Sequence, residues 1–351
     1  MISNKNLTKI REILNKSSSP LFFFDNDTDG LTSYLLLRRF CNKGKGVVIK
    51  SYPDLNVSYI RKVTELNPDL IVILDKPLVS ESFINLIKEK GIEILWIDHH
   101  PPENIPEDIH YFNPLNEEKY STEPVCYWCY QISRNINDIW LGILGCLGDS
   151  YMPDFASEFS KKFPDLLPEE CLKEIRKAMY ESQIGYLMKV LSFSLKDRTT
   201  NVIKMLKILG DVKDIYELIG QNNKTKQIYK RFEQVNRKYQ KLLDKAKIIG
   251  NKSGGVLFFQ YGGELSLSGE LANELMYYFP EKIIVVCYMS GTYANISARN
   301  NPKSGGDLRE ILNNALLGVE HTCGGHKNAC GAKVLIEDIP KFRDNLIKVI
   351  K

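Results

Sequence analysis

No stretch of the 351 residues reaches the run of about 18 apolar side chains that a membrane-spanning helix needs. The opening, "MISNKNLTKIREIL", lacks the apolar core of a signal peptide, so a cytoplasmic protein with no membrane partner is expected. A disulfide framework is missing as well. The eight cysteines, at 41, 126, 129, 146, 171, 287, 323 and 330, are scattered. Most sit in apolar settings such as "GILGCLGDS" and "IIVVCYMS", where a free Cys packs as a small hydrophobe. Charge of one sign is scarce too: a net of +4 is too small to imply a nucleic-acid partner by itself. There is no internal repeat and no low-complexity segment.

What the chain does have is length and alternation. At about 150 residues per domain it is long enough for two domains and an ample core. Over residues 1–115, "PLFFF" is followed by "LTSYLLLRRF", "GVVIKSY" by "VSYIRKVTEL", "DLIVILD" by "SESFINLIKEK", and "IEILWID" by a turn. This β-α order, with apolar runs suited to strands buried on both faces, predicts a doubly wound, mainly parallel α/β sheet. Residues 120–250 read as mostly helical, ending in a basic helix over 223–247 with nine Lys or Arg against two acids. After "GNKSGG" a smaller α/β domain is expected, with strands "VLFFQ", "KIIVVCYM", "TYANISAR" and "AKVLIE". The expected division is 1–220, a helical connector over 221–250, and 251–351.

In open parallel sheets, ligands bind beyond the carboxyl ends of the strands. Those ends here read "DNDTDG", "SYPD", "LDKP" and "DHHPP", three of them rich in Asp or His. The first, with Asp25, Asp27, Asp29 and Gly30, mimics the opening of an EF-hand calcium loop. The closing position of such a loop would be Glu but is Leu36, and a strand, not a helix, precedes it. The alternative to a plain solvated turn is a cation held jointly by several strand ends. Asp75, the Asp98-His99-His100 triplet and Asp149 supply the further ligands, and mixed carboxylate and imidazole donors suit Mn²⁺ or Mg²⁺. Converging carboxylates would otherwise repel one another.

Taken in order, these segments resemble the motifs of the DHH phosphoesterase superfamily, named for the triplet found here at 98–100, and its RecJ-like single-strand nucleases. "DNDTDGLTS", "ILD", "DHHPPE" and "LGDS" match the four motifs of the first domain. "ISARNNPKSGGDLREIL" and "GGHKNACGA" are similar to the Ser-x-Arg and Gly-Gly-His motifs of the DHH-associated C-terminal domain. The resemblance implies that Asp27, Asp29, Asp75, His99 and Asp149 ligate one or two ions, with Asp75 the bridging carboxylate. His100, beside Asp98, would lie near the metal or the scissile phosphate. Ser297, Arg299 and His326 would grip substrate, with Gly324 and Gly325 admitting its backbone closely. Many members carry a metal-binding His four residues before Asp27; Phe23 stands there, and Asp25 is the expected substitute.

The remaining features carry less. His321, Cys323, His326 and Cys330 make a plausible set of zinc ligands, but without paired zinc-finger spacing the two glycines argue for a turn near ligand. "CYWC" at 126–129 falls at helical spacing in an apolar setting and reads as core. Along 223–247, Tyr229, Phe232 and Tyr239 fit either stacking on unpaired bases or ordinary packing. The expected activity is metal-dependent hydrolysis of single-stranded DNA or RNA, or short oligonucleotides, from one end. Replication or repair proteins are possible partners, and the oligomeric state is open. The alternatives are a small-molecule phosphodiesterase and a replication-complex scaffold with impaired catalysis.

Overall fold

A computed structural model describes residues 2–51, 54–103, 105–117, 120–301 and 306–350. The chain divides into two compact units, Met1–Phe232 and Glu233–Lys351. Among the described residues of the first, seven strands form: β1 (Pro20–Asp25), β2 (Lys45–Ile49), β3 (Asp54–Leu55), β4 (Leu70–Leu74), β5 (Leu78–Val79), β6 (Glu93–Ile97) and β7 (His110–Phe112). Five make one sheet in the order β2-β1-β4-β6-β7, every pair parallel, and β3 with β5 makes a small parallel ribbon. The expected doubly wound sheet is therefore present. β7 and the ribbon are too short to show a periodic pattern, and the sequence does not announce them.

The sheet is dry on both sides. Leu21, Phe23, Ile71, Ile73, Ile94 and Trp96 pack against Val63 of the helix Ile60–Leu66 and Phe83, Ile84 and Ile87 of the helix Glu81–Glu89. Phe22 and Phe24 turn the other way, and Phe24 stacks on Tyr34 of the helix Thr28–Cys41 with ring centroids 4.9 Å apart. Successive strand residues point to opposite faces, which is why an unbroken apolar run suits this position.

The second unit holds β8 (Val256–Gly262), β9 (Ile283–Ser290), β10 (Tyr293–Arg299), β11 (His321–His326) and β12 (Ala329–Leu335), in the order β11-β12-β10-β9-β8. Only β8 and β9 are parallel. Ala294, Ile296 and Ala298 of β10 face a core shared with the helices Leu308–Ala315 and Ile339–Ile350. The Gly-Gly-His segment, expected as a turn, is instead the edge strand β11. With two glycines and exposure along nearly its full length, it carries no alternation that would announce a strand.

Most of the basic stretch lies in the helix Lys226–Lys252. Tyr229, Phe232 and Tyr239 are all buried in it, and the Tyr239 hydroxyl donates to Glu274 Oε2 at 2.6 Å. These rings are packing residues and present no face for bases.

Candidate metal centre

Strand register brings the acids together. Phe24 pairs with Leu74 and Leu74 with Ile97, so the next residues, Asp25, Asp75 and Asp98, end three adjacent strands at one level. The chain order reverses between β1 and β4, the crevice where ligands of such sheets bind. Asp75 has φ +55°, a left-handed conformation that Asp tolerates better than most residues. Its N–H still donates to Ile97 O at 3.0 Å, and Trp96 Nε1 donates to Lys76 O at 3.0 Å, so neighbouring β6 holds this bend.

The acidic turn after β1 opens a helix. Asp27 is the N-cap of Thr28–Cys41, its carboxylate accepting from Gly30 N at 2.9 Å. A Cβ at Gly30 would stand 2.6 Å from the Asp25 carbonyl oxygen, so only glycine lets the helix start this close to the strand end. Asp29, fully buried, accepts from Val125 N at 2.8 Å and Cys126 N at 2.6 Å. Those are N–H groups at the start of the helix Val125–Ser133, where a negative charge is favoured.

Asp149 arrives from a different helix, Ile139–Gly148, whose C-terminus it caps. Gly142, Gly145 and Gly148 recur at every third position on it. A Cβ at Gly145 would collide with Thr32 Oγ1 and Cys126 Sγ, and one at Gly148 would lie 2.9 Å from Thr28 Cβ. Small residues thus allow this helix to press on its neighbours and deliver Asp149 to the site.

Among the described residues, two groups of side chains can surround an ion: Asp75, His99 and His100, and Asp29, His99 and Asp149. In each, the donor atoms lie within 4.8 Å of one another. His99 Nε2 is 3.4 Å from Asp75 Oδ1 and 3.3 Å from Asp149 Oδ2. Donors about 2.1 Å from one octahedral ion stand about 3 Å apart, close to this spacing. Asp75 Oδ1 is buried yet accepts no hydrogen bond among the described residues, and a cation would satisfy it. The donor set therefore fits a hard divalent ion.

Without an ion, like charge and burial act on the acids. Burial, then the charges of Asp25 and Asp29, push Asp27 up to about 7. Burial, then Asp29 and other carboxylates, raise Asp75 and Asp149 well above the usual range. Burial opposes protonation of His100, but its hydrogen bond to Asp98 and the charges of Asp98, Asp27 and Asp25 outweigh it and raise its pKa. Asp98, buried, holds the ring through Nδ1 at 2.9 Å and also accepts from His100 N at 3.2 Å.

Two residues that shape the site escape a reading of the sequence. Asn113, just past β7, donates to His100 O at 2.8 Å and fixes the turn of the triplet. Lys76, only 2% exposed, places Nζ 3.0 Å from Asp25 Oδ1 and 3.2 Å from Ser51 O. Asp25 and Asp27, both expected as ligands, belong to neither ion-binding group. Phe23, which also has no donor to offer, is fully buried edge-on against Phe83 at 5.6 Å.

In the second unit, Arg299 and His326 both lie level with Ala329, one on either side of β12. Arg299 Nε donates to Asn273 Oδ1 at 2.6 Å, Ser297 Oγ bonds Ser268 Oγ at 2.9 Å, and His326 is exposed. Gly325 has φ +141°, and a Cβ there would sit 2.6 Å from Cys330 Cα, so glycine is required. At Gly324 a Cβ would meet nothing within 4 Å. Residues 302–305 of the motif that follows Arg299 lie outside the described residues.

Residues 21–147 match the DHH family, N-terminal domain, and residues 251–351 match the DHHA1 domain. The fold is similar to RecJ from Thermus thermophilus in complex with Mn²⁺, with a TM-score of 0.69 at 14% identity. That alignment covers 99% of this chain but 55% of that one, so this chain spans about half the length of that relative. An exonuclease RecJ bound to manganese gives 0.67 at 13% identity, covering 100% of this chain and 95% of that one. CDC45 from Entamoeba histolytica gives 0.53 at 9% identity, covering 98% of each chain. At these identities the likeness is one of fold. No curated protein sequence matches the chain.

Proposed function

We propose that this chain, which belongs to the DHH family and carries a DHHA1 domain behind its DHH domain, is a metal-dependent phosphodiesterase acting from one end on single-stranded DNA or RNA, or on short oligonucleotides. The observation that carries the reading is the meeting of Asp75, His99 and Asp149 at the strand-order reversal, with Asp75 Oδ1 buried and lacking a donor. Asp29 and Asp27 complete the acidic wall. A divalent ion bound there would supply Lewis acidity, acidifying water and neutralising charge on the phosphate. Asp98 engages Nδ1 of His100, which leaves Nε2 as the nitrogen for the ion or a phosphate oxygen. Arg299 and His326, with Ser297, are the phosphate-contacting residues of the second unit, where the guanidinium can pair with two phosphate oxygens at once. Gly324, where a Cβ would meet nothing within 4 Å, leaves room for a substrate backbone. The fold's likeness to a protein named as an exonuclease supports the end-directed form of this reading.

Purified protein with Mn²⁺ or Mg²⁺, offered end-labelled DNA and RNA ladders, a circular single strand and dinucleotides, tests it. Linear strands should shorten stepwise while the circle survives. Efficient cutting of the circle would contradict end-directed action. Turnover of dinucleotides alone would move the substrate to small molecules, and no turnover of any substrate would favour a non-catalytic scaffold.

A further inference from the structure

The DHH unit contains a buried lysine that the proposed chemistry does not use. Lys76 follows Asp75 directly, its side chain is 2% exposed, and its ammonium sits 3.0 Å from Asp25 Oδ1. Ser51 O accepts a second hydrogen bond from it at 3.2 Å. Long charged side chains are almost never fully buried unless paired, so the pair is a built part of the site. We infer that Lys76 is a fixed cation that withdraws Asp25 from the ligand set and restricts the centre to a single divalent ion. The inference rests on the metal-centre reading above.

Three observations support it. Asp25 ends β1 level with Asp75, beside the other acids, yet, like Asp27, it is absent from both groups that can surround an ion. Those two groups share His99, whose Nε2 stands 3.4 Å from Asp75 Oδ1 and 3.3 Å from Asp149 Oδ2, so together they describe one centre. Phe23, the neighbour of Asp25 on the same face of β1, offers no donor and is sealed between aromatic rings. The carboxylate beside Phe23 that could help hold a second ion is that of Asp25, and the ammonium already stands against it. Being covalently fixed, its charge also stays in place when the divalent ion leaves.

Equilibrium dialysis or calorimetric titration with Mn²⁺ alone tests this by stoichiometry. The unmodified chain should bind one ion, and Asp25→Asn should still bind one, because Asp25 is not a ligand. Lys76→Met, which keeps the length of the stem and frees Asp25, should bind two. Two ions in the unmodified chain, loss of the ion in Asp25→Asn, or a single ion in folded Lys76→Met would each overturn the inference. Should Lys76→Met fail to fold, the other two proteins decide the matter. No Mn²⁺ binding by the unmodified chain would instead remove the metal-centre reading, and this inference with it.

Discussion

Side chains at this site differ in how plainly the sequence displays them. Asp75, His99 and Asp149 are visible because each follows an apolar run, and a strand end in a parallel sheet is a place for ligands. Lys76 is not visible: in "LDKP" a lysine reads as part of a solvated turn, and burial is a property of the neighbours that fold over it. The same limit applies to Asn113, whose partner His100 is thirteen residues away. The acids carry a consequence for pH. Burial and mutual repulsion raise Asp27 from 3.8 to about 7 and raise Asp75 and Asp149 in the same direction. A carboxyl raised on folding contributes stability below its unfolded pKa and loses it as pH climbs through the folded value. Metal-free protein should therefore melt at a lower temperature at about pH 8 than at about pH 5. Because proton and ion compete for the same oxygens, added Mn²⁺ should raise the melting temperature more at the higher pH. Thermal melts in EDTA and in Mn²⁺ at both values check this; an equal Mn²⁺ increment at the two would contradict it.

Helices and strands are legible in the sequence where their pattern is long. β1, β2, β4 and β6 all stand where the apolar runs place them, and the helix Lys226–Lys252 covers most of the basic stretch. β7 is only three residues long, and β11 is glycine-rich and exposed, so pairing with a neighbour, not local pattern, makes each a strand. The helix Ile139–Gly148 is recognisable as buried, but what its glycines do depends on neighbours far away in the chain. Gly145 faces Thr32 and Cys126 with no room for a methyl group. Gly145→Ala should therefore destabilise the protein by about 1–3 kcal/mol through overpacking. It should also weaken Mn²⁺ binding, because Asp149 caps the end of that helix. Chemical denaturation and Mn²⁺ titration of the variant measure the two effects; parent-like values in both would show that the helix has slack.

Taken whole, the chain divides into two compact units at Phe232–Glu233, inside the helix read as a connector. Its aromatic residues face inward, so any role of that helix in holding nucleic acid must come from charge. Lys226, Lys230, Lys241 and Lys245 are exposed and spaced to share one broad side. If they track a strand, reversing all four should weaken oligonucleotide binding and flatten its salt dependence, by about 0.7 in the log-log slope for each phosphate no longer neutralised. An unchanged slope would make the helix a solvated connector. Arg299→Ala should impair turnover and leave Mn²⁺ binding intact, since Arg299 and the metal ligands lie on different units. The reading of the molecule as a hydrolase stands or falls with the ion at Asp75. Hydrolysis of an end-labelled single strand should be followed after EDTA treatment and Mn²⁺ repletion, for the unmodified chain and for Asp75→Ala. Activity should vanish in EDTA, return with Mn²⁺ in the unmodified chain, and stay lower by several orders of magnitude in the variant. Full hydrolysis in EDTA, or by Asp75→Ala, would contradict it.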